Sequence, residues 1–157
     1  MKLKKYFTLS ILVILMVCLV TGCFNRKELN AKEFSSLIVK EGFVVLDNTE
    51  NYKELSGVKK YLVATNTLRS YKIEYYEFND TKKAEELYDK IETKFKNSTK
   101  VKKSQYQTTS FGKYNYYSLT TNNSYKVVSR INKTVIITDS DRVNKESIKE
   151  VVKKLGY

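Results

Sequence analysis

The stretch 104-SQYQTTSFGKYNYYSLTTNNSYKVVSRINKTVIIT-138 decides the fold class. It divides into four runs, Ser104–Ser110, Tyr114–Thr120, Tyr125–Ile131 and Thr134–Thr138. Each is rich in the aromatic and β-branched residues that pack well on a pleated surface. The gaps Phe111-Gly112, Thr121–Ser124 and Asn132-Lys133 are short enough for hairpin turns. Four strands joined so tightly predict an antiparallel meander, because parallel neighbours need crossovers of a dozen residues or more.

Working back from this meander, the spacing predicts a helix from Thr81 to Lys96, capped by Asn79 or Asp80. Ala84, Leu87, Tyr88, Ile91 and Phe95 make a continuous apolar stripe on it. Before it, Lys60–Thr65 and Tyr71–Phe78 read as strands. Tyr71, Ile73 and Tyr75 alternate with Lys72 and Glu74, the period of a half-buried strand. A polar turn region spans Asn48 to Gly57, and Phe43–Leu46 is a short apolar strand. The first helix starts at Asn30, with Glu33 three residues on as a capping box, and stops at Gly42. Phe34, Leu37 and Ile38 are its apolar face. A last helix, Asn144–Leu155, buries Ile148, Val151, Val152 and Leu155 and stops at Gly156. The order αβββ-αββββ-α predicts an α+β domain over residues 30–157. It consists of an antiparallel sheet of about six to seven strands, with three helices packed mainly on one face. The two halves hint at a duplicated helix-plus-meander unit.

At the amino terminus, Met1–Lys5 carry three lysines and no acid, and Ile11–Val20 is unbroken apolar sequence. Ten apolar residues are too few for a bilayer span, which needs about 20, and suit the core of a signal peptide. The run ends in Leu19-Val20-Thr21-Gly22-Cys23. This resembles the lipobox of bacterial lipoprotein precursors, with Val20 in place of the commoner leucine. The resemblance covers residues 1–23. It implies transfer of a diacylglycerol, its acyl chains of the palmitate kind, to the Cys23 thiol. It also implies cleavage between Gly22 and Cys23. The expected product is a lipoprotein on the extracytoplasmic face of the cell membrane, with residues 23–29 as a lipidated start and short tether. Two acyl chains suffice for stable anchorage.

Removal of residues 1–22 leaves 135 residues, enough for one domain with a real core. Cys18 leaves with the signal, so Cys23 is the sole remaining cysteine and no disulfide is expected. The remaining 26 lysines and arginines against 17 acids leave a charge of +9. The densest cluster is Lys100, Lys102 and Lys103. Beside an anchor, such a surface suits anionic lipid headgroups or wall polymer, and no motif points to nucleic acid.

The chain has no histidine. It thereby lacks the commonest general base near neutral pH and the commonest transition-metal ligand. With the lone cysteine committed to lipid, Ser-His, Cys-His and zinc chemistry are excluded, and neither a metal nor a cofactor is expected. Asp139-Ser140-Asp141 with Asn144 resembles the start of a calcium loop but lacks the glycine and the twelfth-position glutamate. Capping of the last helix is the expected role of these oxygens. Glu85 and Glu86 sit about 100° apart on a helix and are expected on its solvated side. Glu74 and Glu77 diverge from one strand, so neither pair suits acid–base work.

Tyr114, Tyr116, Tyr117 and Tyr125 lie on adjacent strands near lysines. Tyr114, Tyr116, Lys113 and Lys126 are the candidate ligand surface, since rings with polar tips beside lysines suit a sugar or polymer. Adjacent Tyr116 and Tyr117 must point to opposite faces. The expected function is a non-catalytic, membrane-tethered binding module with an unidentified protein partner. Alternatives are an inhibitor or immunity-type lipoprotein, marked by an exposed aromatic patch on an edge strand, and an enzyme using only Asp, Glu, Lys or Tyr.

Overall fold

A computed structural model describes residues 26–52, 57–66, 68, 70–98 and 104–157. The basic start, the apolar run, Gly22, Cys23 and the Lys100–Lys103 cluster lie outside the described residues.

The elements are α1 (Ala31–Lys40), β1 (Val44–Asp47), a 3-10 turn (Thr49–Tyr52), β2 (Val58–Asn66) and β3 (Tyr71–Phe78). Then come α2 (Thr81–Asn97), β4 (Gln105–Phe111), β5 (Tyr114–Thr120), β6 (Ser124–Ile131) and β7 (Thr134–Asp141). A second 3-10 turn (Arg142–Asn144) leads into α3 (Lys145–Lys154).

Local chemistry sets the helix starts. Asn30 Oδ1 accepts from the Glu33 N–H at 2.9 Å, and the Glu33 carboxylate accepts from the Asn30 N–H at 3.1 Å. The expected capping box is present. Asp80, rather than Asn79, caps α2 by accepting from the Lys83 N–H at 2.9 Å. Gly42, at φ +82°, releases the chain from α1 in the left-handed region where a Cβ is strained.

All strand pairs are antiparallel, in one seven-stranded sheet of order β1-β2-β3-β7-β6-β5-β4. Each meander runs from an edge inward, and the two join where β3 pairs with β7. The α+β antiparallel architecture is therefore as the sequence predicts.

The helices divide between the two faces. Phe34 and Ile38 of α1, with Ile148, Val151 and Val152 of α3, pack with Ile73, Tyr75, Val127 and Ile136. Ala84, Tyr88 and Phe95 of α2 pack with Tyr76, Phe78, Val128 and Val135 on the other face. Two of three helices thus share a face, and α2 covers the reverse. The half-buried reading of Tyr71–Phe78 needs correction. Lys72 is exposed, but Tyr76 and Phe78 on its side are buried under α2. Runs such as Val127-Val128 and Val135-Ile136-Ile137 are apolar at both parities, which is what a sheet covered on both faces requires.

Duplication loses its support. Antiparallel β3 and β7 exchange places only by a two-fold axis normal to the sheet, which would leave α1 and α2 on the same face. They lie on opposite ones.

The turns at Gly112-Lys113 and Asn132-Lys133 and the end of β3 lie at one end of the sheet. The chain before α1 is fastened at this end. Glu28 accepts from the side chain of Asn132 and the N–H of Lys133, and Glu77 accepts from the Ala31 N–H. Among the described residues, no helix is long and apolar enough to cross a membrane.

Candidate functional site

The sheet separates the members of the surface expected from sequence. Tyr114 and Tyr116 are half-buried on the face of α1 and α3, where the Tyr116 and Tyr125 hydroxyls meet at 3.3 Å. Lys126 is on the α2 face, ion-paired with Asp139 and 5.3 Å from the centre of the Phe95 ring. Lys113 is exposed at the β4–β5 turn. Of adjacent Tyr116 and Tyr117, the first is the more exposed, and Tyr117 is buried. Burial raises the hydroxyl pKa of Tyr125 well above its ordinary value.

An aromatic–lysine surface does form on the α2 face, from other residues. Tyr106 of edge strand β4 stacks over Tyr117 at 6.4 Å and 15°, with Lys96 Nζ 5.5 Å from the Tyr117 centroid. These residues and Thr108 line an open groove of about 350 Å³. Sequence reasoning passed over Lys96 because its proximity depends on where the end of α2 lands.

Arg26 was also missed. Its guanidinium lies 4.1 Å from the centre of the Tyr114 ring and donates to the Gly156 carbonyl at 3.0 Å. Burial raises the Tyr114 pKa, opposed by the charge on Arg26. Phe111 and Ile131 are the cross-strand neighbours of Tyr114.

An open hollow beside the start of α1 is lined by Lys27, Glu28, Asn30, Glu33 and Glu77. Its carboxylates are engaged. Glu33 pairs with Lys27 at 2.6 Å, and hydrogen bonds from Lys27 and the Asn30 N–H hold its pKa below the usual value. Glu77 takes the Lys59 ammonium, the Ala31 N–H and the Tyr75 hydroxyl. Oxygens that already accept from several donors have few lone pairs left for a substrate. Glu74 bonds the Tyr76 hydroxyl at 2.9 Å on the other face, so it diverges from Glu77 as expected.

Glu85 is not merely solvated: it lies 3.2 Å from Arg130, a guanidinium only 2% exposed. Arg130 also donates twice to Asn115 Oδ1 and once to the Asn132 carbonyl, tying β5, β6 and the β6–β7 turn to α2. The capping role expected of Asp139–Asp141 and Asn144 is overturned. Asp139 and Asp141 continue β7 opposite Lys126 and Ser124, and neither Asp141 nor Asn144 makes a side-chain cap bond. Asn144 donates to Ser140 Oγ instead, because a 3-10 turn separates the strand from α3. Among the described residues, no group of three or more Asp, Glu or Cys is placed to hold a metal ion.

The exposed apolar side chains are spread over both ends. Phe111 (58%) is at the Lys113 end, while Leu68 (95%) and Val143 (88%) lie at the opposite end. Tyr106 and Phe111 occupy opposite faces of β4 and so form no single aromatic patch. No protein-family model, curated protein or solved structure matches the chain.

Proposed function

We propose that the chain is a lipoprotein of the extracytoplasmic membrane face, anchored through a diacylglycerol on Cys23, whose α+β domain is a non-catalytic binding module. The carrying observation is Leu19-Val20-Thr21-Gly22-Cys23 behind a basic start and a ten-residue apolar run. The folded domain supports it in two respects. Among the described residues, the leading chain is already held against the domain at Arg26, three positions past the cysteine, which suits a short tether. The carboxylates that share the hollow beside α1 are each taken up within the fold, Glu28 by Asn132 and Lys133, Glu33 by Lys27 and Asn30, and Glu77 by Lys59 and Ala31. The Tyr106–Tyr117–Lys96 groove is the better candidate for polymer contact than the Tyr114, Tyr116, Lys113 and Lys126 set, because its members share a face.

The test is Cys23→Ala in the full chain, produced in bacteria fed a labelled fatty acid. The wild-type chain is expected to carry label at the size of the cleaved product. The variant is expected to be unlabelled and to accumulate in the membrane at precursor size. A labelled variant of mature size would refute the anchor.

A further inference from the structure

We infer that the end of the sheet carrying Phe111, Lys113 and Lys133 is held against the bilayer, with its lysines on anionic phospholipid headgroups. This rests on the lipid at Cys23. Arg26 is three positions past Cys23, a reach of about 10 Å when extended. Arg26 is not free to wander, because it is stacked on Tyr114 and bonded to the Gly156 carbonyl. The lipid must therefore emerge close to Tyr114, and this ring is the direct cross-strand neighbour of Phe111.

What surrounds that exit suits a headgroup layer. Phe111 is 58% exposed, and Lys113 and Lys133 are exposed at adjacent turn tips. The nearby carboxylates have protein partners: Glu28 is bonded to Asn132 and the Lys133 N–H, Glu77 to Ala31 and Lys59, and exposed Asp80 to the Lys83 N–H. Lys113 and Lys133 are exposed at the two turn tips, with Lys82 also exposed at the start of α2 beside Asp80. An aromatic ring flanked by lysines is the side-chain set that settles at a membrane–water boundary. The attraction fades within a Debye length of about 8 Å at physiological salt, so a tether of this reach keeps the lysines in range. The opposite end carries charges of both signs, among them Asp141, Glu146, Arg142, Lys40 and Lys72, with Asp139 paired to Lys126 and with Leu68 and Val143 exposed, and it faces away from the bilayer.

The experiment places the purified lipidated chain in vesicles of phosphatidylglycerol and phosphatidylcholine, in phosphatidylcholine alone, and in detergent. A water-soluble acylating reagent then reports each lysine by mass spectrometry. In the anionic vesicles, Lys113 and Lys133 are expected to react several-fold more slowly than Lys40 and Lys72 at the far end. The difference should shrink in neutral vesicles and vanish in detergent. Phe111→Ser, a change at an exposed position, is expected to restore part of the Lys113 reactivity. A lipidated chain whose four lysines react alike in all three settings would overturn the orientation. Equal protection in both kinds of vesicle would overturn the headgroup contact alone. If the Cys23 peptide carries no acyl mass, the anchor itself fails and the orientation with it.

Discussion

The hydroxyl of Tyr75, buried in the third strand, donates to the Leu29 carbonyl at 2.7 Å, fastening the chain before the first helix to the sheet centre. The same ring stacks on Phe34 at 4.5 Å. Tyr75→Phe keeps the stack and removes the hydroxyl. The expected loss is about 1–2 kcal/mol, because the Leu29 carbonyl loses its buried donor. Urea unfolding measures it, and an unchanged midpoint would show that the bond contributes nothing.

Arg130 gives a contrast between two kinds of contact. Arg130→Met removes three donated hydrogen bonds and leaves Asn115 Oδ1 without them, at an expected cost of about 1–3 kcal/mol. Glu85→Gln removes only a half-exposed ion-pair partner, expected to cost about 0–1 kcal/mol. A Glu85→Gln loss as large as that of Arg130→Met would mean that the ion pair, not the Asn115 bonds, holds α2 to the sheet.

Stability is expected to fall in alkali. Burial raises the hydroxyl pKa of Tyr61, Tyr75, Tyr76, Tyr88, Tyr125 and Tyr157 above 10.0, with nearby carboxylates and tyrosines adding for most. The unfolded chain releases these protons near pH 10 while the folded chain keeps them. Their contribution is therefore intact below that pH and is lost as pH rises above it. The tyrosinate absorbance should grow in one steep step together with loss of circular dichroism. Gradual ionisation of these six rings with the fold intact would contradict the assignment.

Two helix starts should respond differently to alanine. Asp80→Ala is expected to cost about 1 kcal/mol, because it removes the cap on α2. Asn144→Ala loses only a bond to Ser140 and should fall within about 0.5 kcal/mol of wild type. Thermal unfolding of the two variants side by side decides it.

These contrasts mark what was readable along the chain. Tyr71–Phe78 and Tyr114–Thr120 were legible to the residue, and so was the Asn30–Glu33 cap, because alternation and caps are local signals. Strand β7 runs on to Asp141 beyond its apolar part because β6 supplies partners as far as Ser124, a fact of pairing rather than of composition. Position on a face of the sheet was harder to read. Lys126 and Tyr116 are ten residues apart on neighbouring strands, and register alone puts them on opposite sides. The stacking of Arg26 on Tyr114 joins residues 88 positions apart, and nothing in either neighbourhood announces it.

The pairing of β3 with β7 also has a consequence in time. While the chain is being made, residues 74–77 wait for residues 134–137, and until those arrive β3 is paired on one side only. The first meander can form early but cannot close. The sheet therefore closes only when nearly the whole chain is present, which makes its central pairing a contact of long sequence separation and slow to form.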